Sequence, residues 1–226
     1  MIVIFIPGLL CTDKIWGQMN AIRDQYTCHD ADVISFSSIE EMAENIDKHT
    51  SVDDVAIIGI SMGGYVAIDA AIKMGSRVKK LVLIGTTANS VNEDTIPDRE
   101  KCIELAKAGK IKEITKMSRG ICFFNPREEW LALEEVMADE VGCEAYIRQQ
   151  RAIMSRKDYS NSLQNIQADT LVIAGKNDAV IPCEHSVLMS KQIPNSKLVL
   201  IDDCGHLPTI EKGSILADLV PRFLGS

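Results

Sequence analysis

The chain has 226 residues, 46% of them hydrophobic and 25% charged, which suits one α/β domain with a core of ordinary size. Its 32 acidic and 24 basic side chains leave a net charge of −8 with no Lys/Arg-rich run, so neither nucleic acid nor an anionic lipid surface is an expected partner. No apolar run approaches the roughly 20 residues of a membrane span, and the apolar start from Met1 to Ile6 lacks a charged leader and meets Pro7-Gly8 at once, so a cytoplasmic location without membrane insertion or signal peptide is expected.

The first predicted element is a strand, Ile2 to Ile6, a β-branched and aromatic run suited to burial on both faces. A helix is predicted from Lys14 to Asp24 and a second strand from Asp32 to Phe36. Ser38-Ile39-Glu40-Glu41 has the form of a capping box and opens a helix to about Lys48. A third strand, Val55 to Ile58, runs into Gly59, and a helix that is apolar nearly all round follows from Ser61 to about Met74. Lys80 to Ile84 is the fourth strand.

The alternation then breaks: residues from about Asn89 to Asn165 contain only helical patterns, at Asp98 to Ala108, Ile111 to Ser118, Arg127 to Asp139 and Glu144 to Ser155. Strands return at Thr170 to Ala174 and Leu198 to Ile201, with a helix between them from Cys183 to Gln192 and a last one from Ile210 to Phe223. Strands alternating with helices predict a mostly parallel sheet with helices on both faces. The helical stretch reads as a cap inserted at about residues 89 to 165 of a single domain covering 1 to 226.

Seven cysteines, at 11, 28, 102, 122, 143, 183 and 204, form no C-x-x-C pair. They predict neither a disulfide framework nor a zinc site, and most are expected to be small buried hydrophobes. Cys28-His29-Asp30 is expected to be a solvated loop rather than a metal site.

The sharpest motif is Gly59-Ile60-Ser61-Met62-Gly63, which fits G-x-S-x-G between a buried strand and a helix. Such a turn strains the serine backbone and projects Oγ from the sheet, with glycines where a Cβ would collide. A serine alcohol needs a base, and the base an orienting acid. Of the four histidines, His29 and His49 lie in polar stretches and His185 inside a predicted helix. His206 alone directly follows a buried strand, which places it at the C-terminal edge of the sheet with Ser61. Asp178 reaches the same edge, in Gly175-Lys176-Asn177-Asp178 after a strand, and is favoured over Asp202 and Asp203, which are too near His206 in sequence to reach behind its ring easily. The N–H of Met62 would be one oxyanion donor, and the loop Pro7-Gly8-Leu9-Leu10-Cys11 would supply the other, at Leu9.

Four stretches together resemble the α/β-hydrolase superfamily, in particular its small esterase-like serine hydrolases: Phe5-Ile6-Pro7-Gly8-Leu9-Leu10, Gly59 to Gly64, Leu171 to Asp178, and Gly205-His206-Leu207-Pro208. The resemblance implies a cofactor-free hydrolase with a helical cap and the chain order Ser61, Asp178, His206. Many relatives begin the oxyanion loop with His-Gly where this chain has Pro7-Gly8. Many also carry a leading antiparallel hairpin, which is not expected here. The dehalogenase and epoxide hydrolase branches are disfavoured, because they place Asp where this chain has Ser61.

The expected activity is hydrolysis of a small or medium carboxylic ester, thioester or lactone. The alternatives are a C–C bond hydrolase or lyase using the same triad, and a ligand-binding member without turnover. The substrate pocket is expected to involve Leu10, Phe123, Phe124 and Trp130, with no metal. No Lys or Arg cluster marks the predicted edge, so a strongly anionic substrate is not indicated.

Overall fold

The computed structural model describes residues 1–50 and 54–225. Six strands form one sheet: β1 (Ile2–Ile6), β2 (Thr27–Asp30), β3 (Val55–Ile60), β4 (Val78–Ile84), β5 (Asp169–Gly175) and β6 (Ser196–Ile201). Their spatial order is β2-β1-β3-β4-β5-β6, and every pairing is parallel. Among the described residues eight α-helices accompany them: α1 (Ile39–His49), α2 (Met62–Met74), α3 (Ile96–Lys107), α4 (Ile111–Met117), α5 (Glu128–Ser155), α6 (Glu184–Gln192), α7 (Pro208–Glu211) and α8 (Gly213–Leu224).

Strand alternation divides the sheet's side chains between two cores. Ile4, Ile6, Ile57, Leu81, Leu83 and Val172 face one way and pack under α1, α2 and α6. Val3, Phe5, Ala56, Ile58, Val82, Ile84 and Ile173 face the other way and pack under α8 and the 3-10 segment Asp13–Asp24. Both faces of β3 are therefore dry, which is why its sequence is continuously apolar rather than alternating. The chain steps outward from β1 to β2, then returns to place β3 on the other side of β1. The loops after β1 and β3 part at that switch point, leaving a crevice between them at the strands' C-terminal ends.

Three expectations change. The second strand lies at Thr27–Asp30 and not at Asp32 to Phe36, so Cys28-His29-Asp30 is edge strand, not loop. The reason is local: Asp32 Oδ1 accepts the N–H groups of Ile34 and Ser35, both at 3.0 Å, and bends the chain out of the sheet. The segment Asp13–Asp24 is 3-10 rather than α-helical, broken at Gly17 (φ 49°). The cysteines are less buried than expected: Cys11 and Cys204 are buried, the other five half-buried.

Helix α1 opens as its sequence predicts, with Ser38 Oγ accepting the Glu41 N–H at 3.2 Å. Between β4 and β5 the chain is helical, and α5 breaks at Gly142 (φ 72°), separating the two helical patterns legible there. The segment has its own small core of Ile103, Ala106, Ile114, Tyr146 and Ile147, and Leu9 and Leu10 from the loop after β1 pack against it. Among the described residues no helix is long and apolar enough to cross a membrane.

Candidate active site

Ser61 stands between β3 and α2 with φ 54° and ψ −118°, a conformation L-residues rarely adopt. Its surroundings hold it there: its N–H donates to the Ile84 carbonyl at 2.9 Å, and its own carbonyl accepts from the Gly64 N–H (2.9 Å) and from Thr86 Oγ1 (2.8 Å). The flanking glycines are required by packing. A Cβ at Gly59 would lie 2.8 Å from Ala67 Cβ, and one at Gly63 would run into the Ile6 and Pro7 carbonyls.

His206 lies on the loop after β6 and Asp178 on the loop after β5. The structure brings both to Ser61: His206 Nε2 is 2.9 Å from Ser61 Oγ, and His206 Nδ1 is 2.8 Å from Asp178 Oδ2. The other carboxylate oxygen, Asp178 Oδ1, accepts the N–H groups of Val180 and Ile181, both at 2.8 Å. A carboxylate only accepts hydrogen bonds, so this network assigns the imidazole proton to Nδ1 and leaves Nε2 to accept from the serine hydroxyl. The Asp178 side chain is 0% exposed and that of His206 4%, so the pair is shielded from competing water. Asp202 and Asp203 are exposed, and Asp202 pairs with Lys176 at 2.6 Å. Of the remaining histidines, His29 and His49 are exposed, while His185 sits on α6 with Nδ1 3.0 Å from Thr87 Oγ1.

The loop after β1 faces Ser61 across the crevice. Leu10 takes a positive φ of 55°, and its N–H donates to Gln149 Oε1 of α5 at 3.1 Å. The Cys11 N–H donates to the Gly8 carbonyl (3.2 Å) and the Cys11 thiol to the Leu9 carbonyl (3.3 Å). Met62 is the first residue of α2, where a helix leaves its N–H groups without helical acceptors.

A cavity of about 210 Å³ opens from Ser61 and His206. Its floor is Gly8, Leu9, Leu10, Cys11 and Ile60; Val180 and Leu207 flank it; the helical segment above contributes Thr115, Ser118, Ile121, Cys122, Glu134, Met137 and Ala138. Leu10 lines it as expected. Phe123, Phe124 and Trp130 do not. Phe123 is buried against Trp130, with ring centroids 5.4 Å apart, and Arg127 covers the indole. Phe124 is 37% exposed, its N–H donating to Glu211 Oε2 at 2.9 Å. An apolar run in the helical segment satisfies that segment's own packing first, and periodicity does not say which helix face looks into a cavity. The wall residues Met137 and Ala138 are apolar neighbours on α5, a signal too common to single out.

Burial dominates the electrostatics. It pushes the Cys11 and Cys204 thiols up to about 12 and the Cys122 thiol well above its ordinary value. It also raises Glu134, against the lowering effect of hydrogen bonds from the Cys122 thiol and the Gly120 N–H. Glu211 is raised for the same reason, although it accepts the Gly205 and Phe124 N–H groups. No group of three or more His, Cys, Asp or Glu among the described residues could hold a metal ion.

The model of a family described as alpha/beta hydrolase fold matches residues 6–213. The chain is similar to the pimeloyl-(acyl-carrier protein) methyl ester esterase of Nitrosomonas europaea, with 22% identity over 224 residues, covering 91% of this chain and 88% of that protein. It is also similar to a 2-hydroxy-6-oxononadienedioate/2-hydroxy-6-oxononatrienedioate hydrolase of Pseudomonas putida, with 28% identity over 188 residues, covering 79% of this chain and 65% of that one. Among solved structures, a thermophilic esterase from Thermogutta terrifontis superposes with a TM-score of 0.89 at 22% identity, covering 100% of this chain and 89% of that one. With its parallel six-strand sheet, its serine turn after β3 and the family match over most of its length, the chain belongs to the alpha/beta hydrolase fold family.

Proposed function

We propose that this protein is a serine hydrolase that cleaves a small or medium carboxylic ester through an acyl-enzyme on Ser61. The observation that carries the reading is the continuous hydrogen-bonded chain Asp178–His206–Ser61, ending at a cavity whose walls are mostly apolar. Ser61 Oγ attacks the ester carbonyl while His206 Nε2 takes its proton. Asp178 holds the imidazole in the tautomer this requires and stabilises the imidazolium. The backbone N–H groups of Leu9 and Met62 receive the oxyanion, where one donor is worth about 3 kcal/mol in the transition state. His206 then returns its proton to the leaving alcohol and activates water to release the acyl group. Thioesters and lactones follow the same steps, and no cofactor takes part in them.

A second reading, cleavage of a C–C bond beside an oxo group by the same triad, draws on the Pseudomonas putida relative, whose name describes a dicarboxylate substrate. The cavity has no Lys or Arg in its wall to meet such a dianion, which favours the ester reading. The test is hydrolysis of p-nitrophenyl esters from acetate to decanoate by wild type and by Ser61→Ala. The ester reading expects turnover by wild type and a loss of at least about 10⁴-fold in a folded Ser61→Ala. A folded wild type that turns over none of them sinks it and leaves C–C cleavage or ligand binding without turnover.

A further inference from the structure

The polar groups of the cavity wall opposite Ser61 are all arranged to accept hydrogen bonds. Thr115 Oγ1 donates its proton to the Lys112 carbonyl at 3.1 Å, and Ser118 Oγ to the Ile114 carbonyl at 3.3 Å, so both hydroxyls offer only lone pairs to the cavity. The Cys122 thiol lies beside Glu134, and the Cys11 thiol donates to the Leu9 carbonyl at 3.3 Å. Among the described residues Glu134, half-buried on α5, is the only carboxylate in the wall, and no Lys, Arg, Asn, Gln, Tyr or Trp side chain lines the cavity. The Leu10 N–H at the floor is taken by Gln149. Outside the Ser61–His206 pair and the weakly donating Cys122 thiol, no lining side chain among the described residues keeps a donor for a ligand.

We propose that Glu134 is a specificity-determining residue, and that with Thr115 and Ser118 it selects substrates whose tail ends in a hydrogen-bond donor, a hydroxyl or an ammonium group, and rejects a terminal carboxylate. This rests on the ester-hydrolase reading for the orientation of the substrate: the carbonyl lies at Ser61 and the tail lies toward α4 and α5. A donor in the tail meets lone pairs that line the cavity. A carboxylate there finds three acceptors, no strong donor and a like charge, the arrangement in which a site built for hydrogen bonding discriminates most strongly. The acceptors belong to this chain's own residues; nothing about them follows from the serine turn or the triad.

The experiment uses four methyl esters of one chain length: hexanoate, 6-hydroxyhexanoate, 6-aminohexanoate and the monomethyl ester of adipate. Work at pH 8.5, well above the ordinary carboxyl range, counters the burial that raises Glu134. Binding is read on Ser61→Ala by ligand-detected NMR titration, and turnover on wild type by pH-stat. The expected result is that the adipate ester binds at least ~10-fold more weakly than the hydroxy and amino esters. Glu134→Gln in the Ser61→Ala background, whose amide supplies a donor, should shrink that ratio to about threefold or less. Equal binding of adipate and hydroxy esters, an unchanged ratio in Glu134→Gln, or no binding by any of the four overturns the proposal. Selective binding with no turnover by wild type leaves the acceptor wall standing and removes the ester-hydrolase reading instead.

Discussion

Leu10 occupies a backbone region that costs a non-glycine residue about 1 kcal/mol or more, and its hydrogen bond to the buried Gln149 helps hold it there. Gln149 Nε2 in turn donates to the Val33 carbonyl at 3.3 Å, so one amide ties the loop after β1 to the loop after β2. Gln149→Leu removes the anchor beside the proposed Leu9 oxyanion donor. Its expected signature in steady-state kinetics is a kcat lowered by about tenfold with KM nearly unchanged, because the oxyanion exists only in the transition state. The buried thiols make a second residue-scale prediction. With the Cys11 thiol raised to about 12, its thiolate fraction at pH 7.5 is on the order of 10⁻⁴ to 10⁻⁵. Iodoacetamide at that pH should leave hydrolytic activity intact over an hour although Cys11 lines the cavity; mass spectrometry showing rapid alkylation of Cys11 contradicts this. The sign of the pH effect on stability follows from the same shifts. Cys11 and Cys204 rise from 9.0 to about 12, so above pH 9 the unfolded chain releases protons that the native state still holds. Below that window the two thiols contribute no pH dependence; through it, stability falls as pH rises. Denaturant melts at pH 8 and 10.5 should show the fall, and Cys204→Ala should lessen it.

At the scale of elements, the loop carrying His206 is held to the helical insertion by a small number of bonds. The His206 N–H donates to the Cys122 carbonyl at 2.8 Å, and Glu211 of α7 bridges the Gly205 N–H (2.7 Å) and the Phe124 N–H (2.9 Å) with its two oxygens. A Cβ at Gly205 would sit 2.7 Å from Phe124 N and 2.9 Å from Glu211 Oε1, so the contact needs glycine. Glu211→Ala leaves two N–H groups without their acceptor, and a loss of about 2 to 4 kcal/mol in urea unfolding is expected. Because the imidazole moves with its loop, kcat should fall by about tenfold or more. Glu211→Gln, which keeps one acceptor oxygen, should recover part of both. The same scale shows where sequence patterns stop. Helix α1 and the serine turn were legible because capping and turn chemistry are local. The second strand was misplaced because Val33 and Ile34 have strand-like side chains, yet their carbonyls are taken by Gln149 and Arg148 of α5 and the Asp32 turn bends the backbone. Edge strand β2 is largely solvent-facing, so its polar sequence Thr27–Asp30 carries no hydrophobic signal.

For the molecule as a whole, two dry cores on opposite faces of one parallel sheet position the three site loops. Ile57 lies at the centre of β3, fully buried in the core under α2. Ile57→Ala should cost about 2 to 5 kcal/mol of global stability, read as a lowered urea midpoint. Ile147→Ala in the separate core of the insertion should act mainly through the cavity, which α5 walls. Its expected effect is a raised KM with a small change in midpoint, and a loss of stability equal to that of Ile57→Ala would contradict the independence of the two cores.

Which groups converge on Ser61 was readable before any coordinates, because a serine between tight glycines, an aspartate and a histidine each follow a strand of this sheet, although β6, before His206, is a half-buried edge strand and not the buried one expected. Parallel strands end on one edge, so order along the chain translates directly into position. The cavity was not readable in the same way. Phe123 and Trp130 turned to each other, while Glu134, Thr115 and Ser118 came to face Ser61, and their spacing is that of any half-exposed helix. The rotation of a helix about its own axis is decided by the packing of residues far apart in sequence, here α3, α4 and α5 around Tyr146 and Ile147 with Leu9 and Leu10 beneath. Only the folded chain determines which helix face meets the site, and that face is what a substrate would touch.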